Sequence, residues 1–137
     1  RLGTFALSAG DKDACDIRAL AGRERRARNL EGLWRRFDLL LAPTVPQPAF
    51  ALGDKLDDPV AMYGSDVFTI LANVAGVPAI SLPAPGGVDA PRLAGAEEGP
   101  GRVTLPLGVQ LLGRSREDHR VLATATELEA AGFRAEA

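Results

Sequence analysis

Three observations predict an α/β fold for this chain. Three segments carry apolar residues three or four positions apart, the spacing of helices with one buried stripe. Three short apolar runs, near residues 38–42, 77–82 and 107–112, have the length of buried strands and are bounded by proline or glycine. The two signals interleave along the chain, which points to a mixed or parallel β-sheet flanked by helices.

Residues 2–9 (LGTFALSA) are apolar enough for burial, and Gly10 breaks the run. Asp11 and Asp13 are candidate caps for a helix reaching about Phe37, with Ile17, Leu20, Ala27, Leu30, Trp34 and Phe37 as its buried stripe. Gly22 and Gly32 weaken that helix by about 1 kcal/mol each relative to alanine. The first strand, Asp38 to Ala42, closes at Pro43, and residues 43–58 read as an irregular loop around three prolines, Gly53 and a DKLDD cluster.

Asp57 or Asp58 can cap the next helix, Pro59 fits its first turn, and Gly76-Val77-Pro78 stops it. Val60, Tyr63, Val67, Leu71 and Val74 step by 3, 4, 4 and 3, predicting one continuous helix over 59–75. Pro78 places the strand at 77–82 near an edge or entry point. Residues 83–104, rich in proline and glycine, read as a long exposed connection. After the strand at 107–112, a last helix from about Arg116 to Ala131 presents Val121, Leu122, Ala125 and Leu128, and residues beyond Gly132 should fray.

Composition excludes several classes of function. A net charge of −2 argues against a globally basic nucleic-acid binder. The longest apolar runs fall short of the roughly 20 residues a membrane helix needs. A single cysteine, Cys15, cannot form an internal disulfide, which fits a reducing, cytoplasmic location. With one cysteine and one histidine, a zinc site would need carboxylates for its other ligands, so no metal is expected. The chain opens on Arg1, has its only methionine at Met62, and enters a patterned segment at once. With unpaired sheet edges besides, the expectation is that residues 1–137 are an incomplete piece of a larger domain.

No nucleophile stands beside a base in this sequence. Ser8, Ser65, Ser81 and Ser115 are isolated, without a GxSxG elbow or a glycine- and serine-rich loop. His119 lies in a charged stretch, REDHR, and reads as solvated. Lys12 and Lys55 stand beside aspartates, which hold them protonated as surface ion pairs. Cys15 reads as a buried thiol among small residues. No phosphate loop, dinucleotide fingerprint or metal motif occurs.

From Arg18 to Arg36, seven arginines against Glu24 and Glu31 make a helix of charge +5. It is either a solvated face or a module contacting the phosphates of a tRNA. Asp66 is the other unusual residue, a carboxylate within a nearly apolar helix. It is either exposed or ion-paired for structure, or it is an anionic contact for a substrate ammonium group.

Four blocks are similar to the amidase-signature enzymes: LGTFALSAG at 2–10, FDLLLAPTVPQPAF at 37–50, DDPVAMYGSDVFTILANVAGVPAISLP at 57–83, and LPLGVQLLG at 105–113. The DDP-x-x-MY-x-x-D spacing most resembles the branch that forms the glutamine-hydrolysing A subunit of tRNA-dependent amidotransferases. The resemblance implies the C-terminal portion of the amidase-signature fold. The complete subunit would release ammonia from glutamine, working with subunits B and C. The partner subunit would use ATP and Mg to amidate misacylated Glu-tRNA(Gln), so no cofactor is expected in this fragment.

The family's catalytic lysine and two serines belong to its N-terminal part. They match no position here, and the fragment is expected to be inactive alone. Asp66 falls on an aspartate that resembles an anchor for the glutamine α-amino group, and Tyr63 matches the same motif. The segment 83–104 departs from the family by its length. A stand-alone amidase of the same family is the alternative reading, and a tRNA-binding module on the Arg18–Arg36 helix is a further one.

Overall fold

The computed structural model describes residues 12–91 and 101–134. The segment 2–9 and the candidate cap Asp11 lie outside them. Helix α1 (Lys12–Trp34) leads into strand β1 (Leu39–Pro43). Helices α2 (Pro59–Ser65) and α3 (Ile70–Ala75) follow, then β2 (Ala79–Pro83). Strands β3 (Val88–Pro91), β4 (Arg102–Leu105) and β5 (Gly108–Gly113) precede the last helix, α4 (Asp118–Ala130). The α/β class predicted from the sequence is the one observed.

The three predicted strands form one sheet in the order β1-β5-β2. Both pairings are antiparallel, so these strands exclude the parallel alternative; β1 and β2 run parallel to each other as the outer strands. The central strand shows why the sheet is covered on both faces. Leu111 packs with Leu82, Val121 and Ala125 on the α4 side, whereas Leu112 packs with Leu30 and Trp34 on the α1 side. Successive side chains of a strand point to opposite faces, so one apolar run serves two cores.

Among the described residues, the fully buried side chains of helix α1 lie in its C-terminal half. Leu30 and Trp34 are buried, but Ile17 and Leu20 remain 67% and 59% exposed and Phe37 is also exposed, so the predicted stripe is covered along part of its length. The helix ends at Trp34 rather than Phe37, where the Arg114 guanidinium donates to the Trp34 carbonyl. That bond satisfies one of the terminal acceptors a helix leaves open.

The predicted single helix over 59–75 is two helices separated by a turn at residues 66–69. Asp58 is the cap, its Oδ1 accepting from the Val60 and Ala61 amides at 3.0 Å each, with Pro59 in the first turn. Within the turn, the Thr69 amide and hydroxyl both donate to the Asp66 carbonyl, at 3.1 and 2.9 Å. Side-chain bonding of this kind competes with the helical ladder. Most of the apolar stripe on this segment, including Val60, Tyr63, Val67 and Leu71, is exposed among the described residues.

Three further expectations are corrected. The connection at 83–104 contains a two-stranded antiparallel sheet, β3 with β4, in which Asp89 accepts from Arg102 and Thr104. Alternation is so short there that strand and loop patterns coincide. At the other end, Gly132 takes a left-handed φ of 90°, its amide bonds Glu129, and the Phe133 amide bonds the Leu128 carbonyl. This helix-terminating motif turns Phe133 back against the α4 core instead of letting it fray. Leu122, expected on the buried face, is exposed.

Gly113 sits where β5 passes under α4. A Cβ there would overlap a methyl of the buried Val121. Gly113→Ala in the full-length protein is therefore expected to cost about 1–3 kcal/mol of stability, the usual penalty for overpacking. Denaturant unfolding checks this, and a stability within error of wild type would contradict the close packing.

Candidate functional site

Among the described residues, one side chain hydrogen-bonds the turn at 66–69 to the sheet. Gln110, on the central strand and 4% exposed, donates through Nε2 to the Phe68 carbonyl at 3.0 Å and to the Pro43 carbonyl at 2.9 Å. Its register neighbours are Ala42 on β1 and Ser81 on β2. The Thr44 and Ser81 hydroxyls hydrogen-bond at 2.7 Å, above Gly108, where any Cβ would crowd both oxygens. Thr44, Thr69, Asn73, Ser81 and Gln110 supply the polar lining of a cleft of about 380 Å³ between α3 and the sheet. Short hydroxyl and carboxamide groups of this kind bind polar, uncharged parts of a ligand by hydrogen bonds.

Asp66 closes α2 at the start of that turn. Its amide donates to the Tyr63 carbonyl at 3.1 Å, and its own carbonyl accepts from Thr69. Its side chain is exposed, and among the described residues the carboxylate has neither an ion pair nor a hydrogen bond. Among the described residues the structure thus removes the ion-paired reading and leaves an exposed carboxylate, which fits both a solvated surface residue and a ligand contact. Tyr63 on α2 is likewise exposed.

The remaining candidates are dispersed. Among the described residues Lys55 makes no aspartate pair, contrary to the sequence expectation. Its Nζ donates to the Ser65 hydroxyl and lies 4.1 Å from the Phe50 ring centroid. The Ser65 hydroxyl in turn donates to the Ala61 carbonyl. Ser81 is engaged by Thr44, while Ser115 and His119 are exposed. Ser8 and the side chains of Lys12 and Cys15 lie outside the described residues.

The arginines from Arg18 to Arg36 are exposed, and Arg28 alone is ion-paired among the described residues, with Glu24 at 3.4 Å. No cluster of three potential metal ligands occurs among the described residues, and no helix there is long and apolar enough to cross a membrane.

Sequence reasoning missed Gln110, Thr44 and Ser81. The available signal was a lone carboxamide in the middle of an apolar strand, LGVQLL, where it must find buried partners.

The amidase family model matches residues 1–122, and the chain belongs to that family. Among curated relatives, the A subunit of the glutamyl-tRNA(Gln) amidotransferase of Granulibacter bethesdensis is 42% identical over 130 residues, covering 95% of this chain and 23% of the relative. Among solved structures, the A subunit of the glutamyl-tRNA(Gln) amidotransferase of Thermotoga maritima superposes with a TM-score of 0.70 at 35% identity, over 93% of this chain and 25% of that one. A bacterial aryl acylamidase of the amidase signature family superposes with a TM-score of 0.58 at 25% identity, over 92% of this chain and 24% of that one. The chain spans about a quarter of the length of these relatives.

Proposed function

We propose that this chain is the C-terminal portion of the glutamine-hydrolysing A subunit of a tRNA-dependent amidotransferase, and that it forms one wall of the glutamine pocket. The observation that carries this reading is Asp66, a solvent-open carboxylate on a turn tied to the central strand beside a polar cleft. Glutamine differs from a simple alkyl amide by its charged α-substituents, and a fixed counter-charge is the economical way to select its ammonium group. The nucleophile and its base come from the larger part of the domain, since the described serines offer no such pair. Ammonia released there passes to subunits B and C, where ATP and Mg serve the amidation of Glu-tRNA(Gln), in the cytoplasm.

The likeness to the aryl acylamidase supports a second reading, a stand-alone amidase acting on other amides. The two are separated by assaying the full-length gene product with and without subunits B and C. The first reading expects glutamine hydrolysis that rises when the partners and tRNA are present. Efficient cleavage of aryl or alkyl amides by the isolated protein, with none of glutamine, would overturn it.

A further inference from the structure

We propose that Gln110 is the positioning residue for Asp66, holding the substrate-facing turn at a fixed distance from the sheet; this rests on the glutamine-pocket reading above. The argument begins with the strand. β5 is the central strand, paired on both sides over its length, which makes it the most constrained backbone near the cleft. A carboxamide buried there must place its two N–H donors, and Gln110 places them on carbonyls from two other segments, Pro43 and Phe68.

The Phe68 contact reaches the turn two residues after Asp66. Thr69 closes the same turn by donating twice to the Asp66 carbonyl. Asp66 itself makes no hydrogen bond or ion pair through its carboxylate among the described residues, so its placement depends on its backbone. The backbone in turn depends on two anchors: the short helix α2 behind it, capped by Asp58, and the Gln110–Phe68 bond ahead of it. Removing the second anchor lets the 66–69 turn shift toward the regular helix that its apolar spacing favours. A carboxylate displaced in this way keeps its charge and loses its aim, which weakens substrate binding more than it alters the chemistry.

The test uses the full-length protein in its assembled complex, with KM and kcat for glutamine and the thermal midpoint measured for each variant. Gln110→Met, close to isosteric and without donors, is expected to raise KM roughly 10-fold while kcat changes less than about 2-fold. Thr69→Val loosens the same turn without entering the sheet and is expected to raise KM by about 3-fold. It keeps the proposal testable should Gln110→Met fail to fold. In an Asp66→Asn background, neither substitution should raise KM further, because nothing remains to be aimed.

An unchanged KM in Gln110→Met and Thr69→Val, with Asp66→Asn raised, overturns this inference alone. Effects that multiply fully with Asp66→Asn also overturn it, making Gln110 a general support of the sheet. An unchanged KM in Asp66→Asn removes the glutamine-pocket reading and this inference together.

Discussion

Asp66→Asn in the full-length protein is expected to raise the KM for glutamine by about 10- to 100-fold with a smaller change in kcat. The magnitude follows from losing a charge-assisted contact, worth about 1.5–3 kcal/mol, at roughly 1.4 kcal/mol per factor of ten. The substitution is nearly isosteric and leaves the local backbone bonds in place: the amide to Tyr63 and the carbonyl to Thr69. With the side chain exposed, stability should stay within about 0.5 kcal/mol of wild type. A substrate amide without an α-ammonium group supplies the control. Its KM should not move, because the charge at Asp66 has nothing to meet. An unchanged glutamine KM would make Asp66 an ordinary turn residue.

Legibility in the sequence followed the range of the forces involved. Strands β1, β2 and β5 were readable because each is a local apolar run bounded by proline or glycine. The Asp58-Pro59 start of α2 was readable because capping is decided within four residues. The break at 66–69 was not, because the apolar spacing continues through it and the bond from Gln110 to Phe68 spans 42 residues. Exposure of Ile17 and Leu20 was equally hidden: spacing predicts that a stripe will be covered, and says nothing of which element covers it.

The site divided in the same way. Asp66 stands out as a charge in an apolar segment, but its chemistry alone fits both a structural and a binding role, and the family resemblance is what favours substrate binding. Gln110 does not stand out, because the apolar strand pattern around it is complete without it.

Trp34→Ala is expected to produce the largest loss of stability, about 3–5 kcal/mol, as buried aromatic truncations do. Trp34 is 3% exposed and shares a core with Leu30 and Leu112, against which Leu40, Ala72, Ala75 and Val77 also pack. That cluster is where α1 meets both α3 and the sheet, so the indole helps hold α3 over the cleft lined by Thr69 and Asn73. The Arg114 bond to the Trp34 carbonyl survives the change, which leaves side-chain packing as the property under test. Trp34→Phe should recover a large part of the loss by refilling most of the cavity. Calorimetric or denaturant unfolding of the full-length protein measures both. If Trp34→Ala costs less than about 1 kcal/mol, α1 is not the support of α3, and the cleft must owe its shape to the sheet and the Gln110 bond alone.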